Sequence, residues 1–272
     1  GLKAQMLANT PLQLRESLGP ITDQLVQGLE VKGNGTLVTV TVKKPTGLEQ
    51  LVAAAAKETS AAATTNERLN DFRQIILAFH NFHATYRSFP PIEVGEHFDE
   101  NGEPHLSWRV YLLPYIEQAP LFDQFHLDEP WDSDHNKVLI DQMPVVYKTT
   151  DNPGKTTIMG FVNDKDSRPH SGMSHFPGKS VAGFHEFTDG TANTVLLVEA
   201  APEAAVPWTQ PTDLLYDPEK PLPKLGRPDE DFVIAAFVDG SCRKLSKEIA
   251  EATWRALITR NGMETFDRAE IQ

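Results

Sequence analysis

An α+β fold is predicted, in which one long helix packs on an antiparallel β-sheet that carries long loops. Two patterns predict it. Leu69, Phe72, Ile76, Phe79, His83 and Tyr86 recur at alternating three- and four-residue steps, which places an aromatic-rich stripe on one helix face. Beyond that helix the apolar periods shorten. Strand-like runs at 107–113, 144–149, 156–162, 181–187, 194–199, 232–238 and 241–245 are separated by Gly, Pro, Asn and Asp clusters. Short separated runs of this kind suit an antiparallel sheet with irregular excursions.

The elements follow in order. Leu14, Leu18, Ile21 and Leu25 give residues 11–27 a helical spacing, and Gly19-Pro20 is expected to kink or split that helix. Leu29–Lys32 and Leu37–Lys43 flank Gly33-Asn34-Gly35 as a hairpin. A helix and two strands bury too little apolar surface to stand alone. Residues 1–47 are therefore read as the tail of an upstream region, and 48–272 as the main domain. Thr46-Gly47-Leu48-Glu49 is a capping box, so the long helix starts there and runs to about 87, where Phe89-Pro90-Pro91 ends it. A second box, Thr64-Thr65-Asn66-Glu67, either restarts that helix or lies within a single rod. Seven prolines between 202 and 228 predict an extended surface loop in place of a strand, because Pro cannot donate to a ladder. Asp239-Gly240 fits a two-residue type I′ hairpin, and a closing helix is expected from Ser246 to Asn261-Gly262.

Composition bounds the function. At 272 residues, 40% hydrophobic, with a mean hydropathy of −0.36, the chain builds a genuine core. A formal charge of −13 argues against nucleic acid and anionic membrane surfaces, which select basic faces. No apolar run approaches the length that crosses a bilayer, so direct membrane insertion by this chain is not expected. The single Cys242 rules out an internal disulfide framework and reads as a packed thiol. There is no nucleophile elbow, phosphate loop or dinucleotide fingerprint; His170-Ser171-Gly172-Met173-Ser174-His175 reads as a loop.

Several segments occur in a fixed order along the chain. Asn81-Phe82-His83 and Phe89-Pro90 come first, followed by Ser107-Trp108-Arg109-Val110-Tyr111-Leu112-Leu113-Pro114. Asp128-Glu129-Pro130-Trp131, Asp189-Gly190-Thr191-Ala192-Asn193-Thr194 and Asp239-Gly240 complete the set. Over about residues 60–262 the chain resembles a large paralogous family of planctomycete proteins of unknown function, pilin-like and carrying a solute-binding label in the family name. That resemblance implies a pilin-like version of the α+β fold and an extracytoplasmic or cell-surface setting, with any signal or anchor upstream of this chain. In the resembling family the long helix often begins as a hydrophobic prepilin segment, whereas residues 53–65 here are Ala- and Thr-rich.

Two places invite a binding role. Asp128, Asp132 and Asp134, with Glu129, are dense enough in oxygens to suggest Ca²⁺; the competing reading is a turn in which Asp132 and Ser133 cap a following helix near His135. Trp131 and Trp208 are candidates for a partner-facing surface, with Trp208 held out by the surrounding prolines or else folded back on the sheet as a latch. His80 and His83 have a chelating spacing, but His83 lies on the apolar stripe and reads as a packed ring. The residues taken together favour a non-enzymatic structural or recognition module with an unknown protein or small-molecule partner. A small-solute-binding protein and a metal-dependent hydrolase are the alternatives.

Overall fold

The computed structural model describes residues 24, 29–34, 37–42, 46, 48–90, 97–100, 104–163 and 183–271. The rest of the expected helix at 11–27 and the loop 170–175 lie outside them. The chain divides into two compact units, Gly1–Asn66 and Glu67–Gln272. In the first, β1 (Leu29–Asn34) and β2 (Leu37–Val42) form the expected antiparallel hairpin, with Leu29 opposite Val42 and Asn34 opposite Leu37. Helix α1 (Leu48–Tyr86) is continuous across the boundary between the two ranges, so the second capping box lies inside one rod. There Thr65 Oγ1 donates back to the Ala61 carbonyl at 3.0 Å.

Short elements follow. Helices α2 (Trp108–Tyr111) and α3 (Ala119–Phe122) precede strands β3 (Lys155–Thr156), β4 (Ile158–Met159) and β5 (Phe161–Val162). Next come β6 (Val195–Glu199), β7 (Val206–Pro207), β8 (Leu214–Leu215), β9 (Phe232–Phe237), β10 (Cys242–Ser246) and helix α4 (Glu251–Ile258). The main sheet is antiparallel in the order β10-β9-β6-β4. The α+β class is as expected.

Each face of that sheet has its own core. Ile234, Ala236 and Val238 pack with Phe72, Ile75, Ile76, Phe79 and Phe82 of α1. Val233, Ala235 and Phe237 pack on the opposite face with Trp254, Leu257 and Ile258 around α4. Strand alternation therefore feeds two layers. In β6 the register shifts between Val195 and Leu197, so Leu196 and Leu197 both join the α1 side. The stripe on α1 also drifts from the expected line: Phe82 is buried at 2% exposure, whereas Tyr86 is 48% exposed.

Several expectations are corrected. The runs expected as strands at 144–149 and 181–187 carry the 3-10 turns Val145–Tyr147 and Phe184–Glu186 in place of strands. Residues 107–113 are helical, because Ser107 Oγ accepts from the Arg109 N–H at 3.3 Å and starts a turn; a short, wholly buried apolar run carries no period that separates helix from strand. The Pro-rich segment is packed and contributes strands. Its β7 pairs antiparallel with β3 and its β8 pairs parallel with β5, and each pairing is only two residues long, which avoids the missing proline donors. The Asp239-Gly240 link is a three-residue turn. Gly240 alone has positive φ (+93°), its N–H donates to Phe237 O at 3.0 Å, and the Phe237 N–H donates to Ser241 O at 2.8 Å; a type I′ turn would also need positive φ at Asp239. In addition, α4 begins only at Glu251, because β10 extends to Ser246.

Two buried ion groups pin the loops to this frame. Glu199, 1% exposed at the end of β6, accepts from Arg68 Nη1 of α1 at 2.6 Å and from Arg227 Nε at 3.0 Å. Arg109, fully buried on α2, donates to Ser107 Oγ at 2.7 Å and reaches Asp213 Oδ1 at 3.3 Å. Asp213 also accepts from Trp108 Nε1 at 3.0 Å and from the Gly160 N–H at 2.8 Å.

Phe72→Ala and Phe79→Ala are each expected to cost about 3–5 kcal/mol in urea unfolding, since both rings are fully buried against the sheet. Losses below about 1 kcal/mol at both sites would contradict this packing. A pH effect is expected at Asp71, whose carboxyl is pushed up to about 6 by burial and by Glu67 one turn away. A raised folded-state value on an acid means stability present at low pH and lost as pH rises through about 6. Asp71→Asn should therefore raise the melting temperature at neutral pH, with the gain vanishing in acid. An equal gain at both pH values would show that charge is not the cause.

Candidate functional site

The Asp189–Thr194 turn is the hub of one end of the second unit. Gly190 takes a φ of +99°, and its N–H donates to Phe187 O at 3.1 Å. The Asp189 carboxylate accepts from the backbone N–H groups of Gly262 (2.8 Å) and Met263 (2.9 Å), just beyond α4. The carbonyls of Thr191 and Thr194 accept from Asp239 and Val238, each at 3.0 Å, which fixes the β9–β10 turn. Asn193 Nδ2 closes the loop on the Asp189 carbonyl at 2.8 Å, leaving its amide oxygen to accept from Arg268 Nη2 at 3.1 Å.

Beside this turn lies a cleft of about 690 Å³, lined by Ala192, Asn193, Arg243, Lys244, Arg268 and Ile271. Strand β10 is the outer strand of its sheet. Phe237 and Ser241 form a hydrogen-bonded pair, and the one-for-one register from Cys242–Ala236 to Ser246–Phe232 follows it. Alternation then turns the peptide N–H and C=O of Lys244 outward, to the edge that no strand among the described residues pairs. Arg243 and Lys244 leave opposite faces of the strand, so a cleft that takes in both lies against that edge. The Arg243 guanidinium sits 4.6 Å from the Phe237 ring centroid and donates to Ser241 Oγ at 3.3 Å, while Lys244 Nζ is 5.2 Å from the Phe232 centroid. A cleft of this size accommodates a small solute or one anchoring side chain of a larger partner.

The residues singled out from sequence fall elsewhere. Asp128, Asp132 and Asp134 are exposed, and Asp134 is ion-paired with Lys137. The loop is organised by Asn136, whose buried amide accepts from the His126 N–H (3.0 Å) and donates to the carbonyls of His126 (2.8 Å) and Glu129 (3.1 Å). Ser133 Oγ accepts from the Asn136 N–H at 3.0 Å, ahead of the 3-10 turn Asn136–Gln142. Among the described residues, no group of three or more His, Cys, Asp or Glu side chains is placed to hold a metal ion. Of the two positions expected for Trp208, the structure shows the latch. It is fully buried, donates through Nε1 to Ile140 O at 3.0 Å and stacks on Tyr147, so its ring offers nothing to a partner. Trp131 is half-buried against the α1-side core.

Other reactive groups are occupied or quenched. His80 Nε2 meets Val238 O at 2.8 Å, and the His83 ring lies 4.3 Å from that of Phe184. Burial, then Arg87, His80 and His185, hold His83 below the usual imidazole range. Burial pushes the Cys242 thiol up to about 11, so it is protonated at neutral pH. Sequence reasoning missed the cleft residues; the available signal was an Arg-Lys doublet on an edge strand of a strongly acidic chain.

Residues 69–230, well over half of the chain, match the family model SBP_bac_10, described as Protein of unknown function (DUF1559). The chain belongs to this family. No curated protein and no solved structure matches it. The DUF1559 match contains Ala192 and Asn193 of the cleft, whereas Arg243, Lys244, Arg268 and Ile271 lie beyond its end. Among the described residues, no helix of this DUF1559 member is long and apolar enough to cross a membrane.

Titrating Ca²⁺ into the protein is expected to leave its melting temperature unchanged, and Asp132→Asn to alter stability by no more than about 0.5 kcal/mol, as for other surface substitutions. An upward shift with Ca²⁺ that Asp132→Asn abolishes would place a calcium site in the 128–134 loop.

Proposed function

We propose that this chain is a non-enzymatic recognition module on a pilin-like scaffold, working outside the cytoplasm, and that it binds a small solute in the cleft at the β10 edge. The observation that carries this reading is the cleft itself: about 690 Å³, bordered by a hydrogen-bonded turn and by the outer strand of the sheet. Preformed concavities with a few fixed polar groups are where small molecules bind. The extracytoplasmic setting and the pilin-like comparison draw on family membership and on the long helix laid against an antiparallel sheet. The solute-binding label in the family name agrees with the reading.

A thermal-shift screen with sugars, amino acids and organic acids tests it. A ligand that binds only the folded state stabilises it by about 2.7 kcal/mol at a hundredfold excess over its Kd. The half-buried Ala192 contributes no side-chain hydrogen bond to the turn, so Ala192→Trp fills the cleft and leaves the hub intact. The expected outcome is at least one stabilising solute whose effect is lost in that variant. A solute effect that survives Ala192→Trp would place binding elsewhere.

A further inference from the structure

We propose that the cleft takes a small organic anion, with a carboxylate or phosphate group carried on an apolar body. The inference rests on the cleft being the recognition site and adds the chemistry of what it recognises. The chain carries 38 acidic and 25 basic side chains, so three cations that border one cleft with no acid among its lining residues call for an explanation. Arg68, Arg109, Arg227, Arg255 and Arg260 all pair with carboxylates. Among the described residues, Arg243, Lys244 and Arg268 have no carboxylate partner, and these three line one cleft.

Their contacts orient them without neutralising them. The amide oxygen of Asn193 holds Arg268, while the face of Phe237 and the Ser241 hydroxyl hold Arg243. Each guanidinium keeps further N–H donors in a planar fork that matches carboxylate and phosphate oxygens. The outward-facing Lys244 N–H adds a neutral donor at the same edge. A concave site lined by one sign of charge concentrates counter-ions even on a protein of opposite net charge. Ala192 and Ile271 supply apolar wall, which calls for an organic body in addition to the anionic group. A polyanion is disfavoured, since the surrounding charge of −13 repels whatever extends beyond the cleft.

Phenyl phosphate, benzoate and benzyl alcohol share one ring and differ in charge, so they separate the contributions. Titrated into the full chain and followed by thermal shift and calorimetry, the two anions are expected to raise the melting temperature, and benzyl alcohol is not. Arg268 is exposed and outside the core, so Arg268→Gln leaves the fold intact and should weaken the tighter anion about tenfold, the loss of one charge-assisted contact. Lys244→Gln should weaken it as well, and Lys137→Gln, on a distant loop, should not. Added salt should weaken binding in the wild type and less in Arg268→Gln. Equal shifts with all three probes, unchanged in Arg268→Gln, would overturn the anion inference and leave the cleft as a recognition site. So would a neutral solute that binds and is lost in Ala192→Trp while both anions fail. No shift with any probe or solute would overturn both readings.

Discussion

A carboxylate with almost no access to water sets the architecture of the second unit. Glu199 closes β6 at 1% exposure, and an ionised side chain so placed must be compensated by its neighbours. Arg68 reaches it from α1 and Arg227 from the far end of the Pro-rich segment, while its own carbonyl accepts from the Gly226 N–H at 2.8 Å. Helix, sheet and loop thus meet at one group. Removing any partner strands a buried charge, which costs far more than an exposed pair contributes. The long return from residue 201 to 230 is consequently anchored at its end as well as its start.

Its middle is anchored by the same chemistry. Asp213 receives Arg109, Trp108 Nε1 and the Gly160 N–H, so one carboxylate ties α2, the β4–β5 link and the Pro-rich segment together. Desolvation holds the Arg109 guanidinium below its ordinary value, opposed by Asp213, which is the balance expected of a charge retained for its geometry. Between these pins Trp208 is folded inward against Phe125 and Tyr147. The outer edge of β10 lies on the opposite side of β9 from β6, where the pinned elements attach.

What the sequence made readable, and what it did not, follows from the range of the interactions. Helix α1 was readable because a period of 3.6 repeats over many turns, and β6, β9 and β10 because Asp-Gly turns bound them. Residues 107–113 were misread because a buried run of seven carries no period, and a single hydroxyl, Ser107 Oγ, decides the outcome. The proline count predicted a surface loop in place of strands and could not foresee the two-residue pairings of β7 with β3 and of β8 with β5. Trp208 was undecided because its burial depends on Ile140 and Tyr147, more than sixty residues away in sequence. The cleft combines side chains from three separate segments, and no local pattern announces such a site.

The Asp189–Thr194 motif shows how a structural hub and two residues of the cleft wall, Ala192 and Asn193, share one turn. Asp189 and Asn193 spend their side chains on the turn and on α4, and Thr191 and Thr194 spend their carbonyls on the β9–β10 turn. Ala192 makes no side-chain hydrogen bond, and it lines the cleft. A substitution there changes the wall without loosening the hub. Arg243, Lys244 and Arg268 have the same freedom, since none of them closes a buried pair. The side chains that hold the fold together are thus distinct from most of those that border the cleft. Asn193 alone does both, and it carries the one fixed contact between the turn and the basic wall.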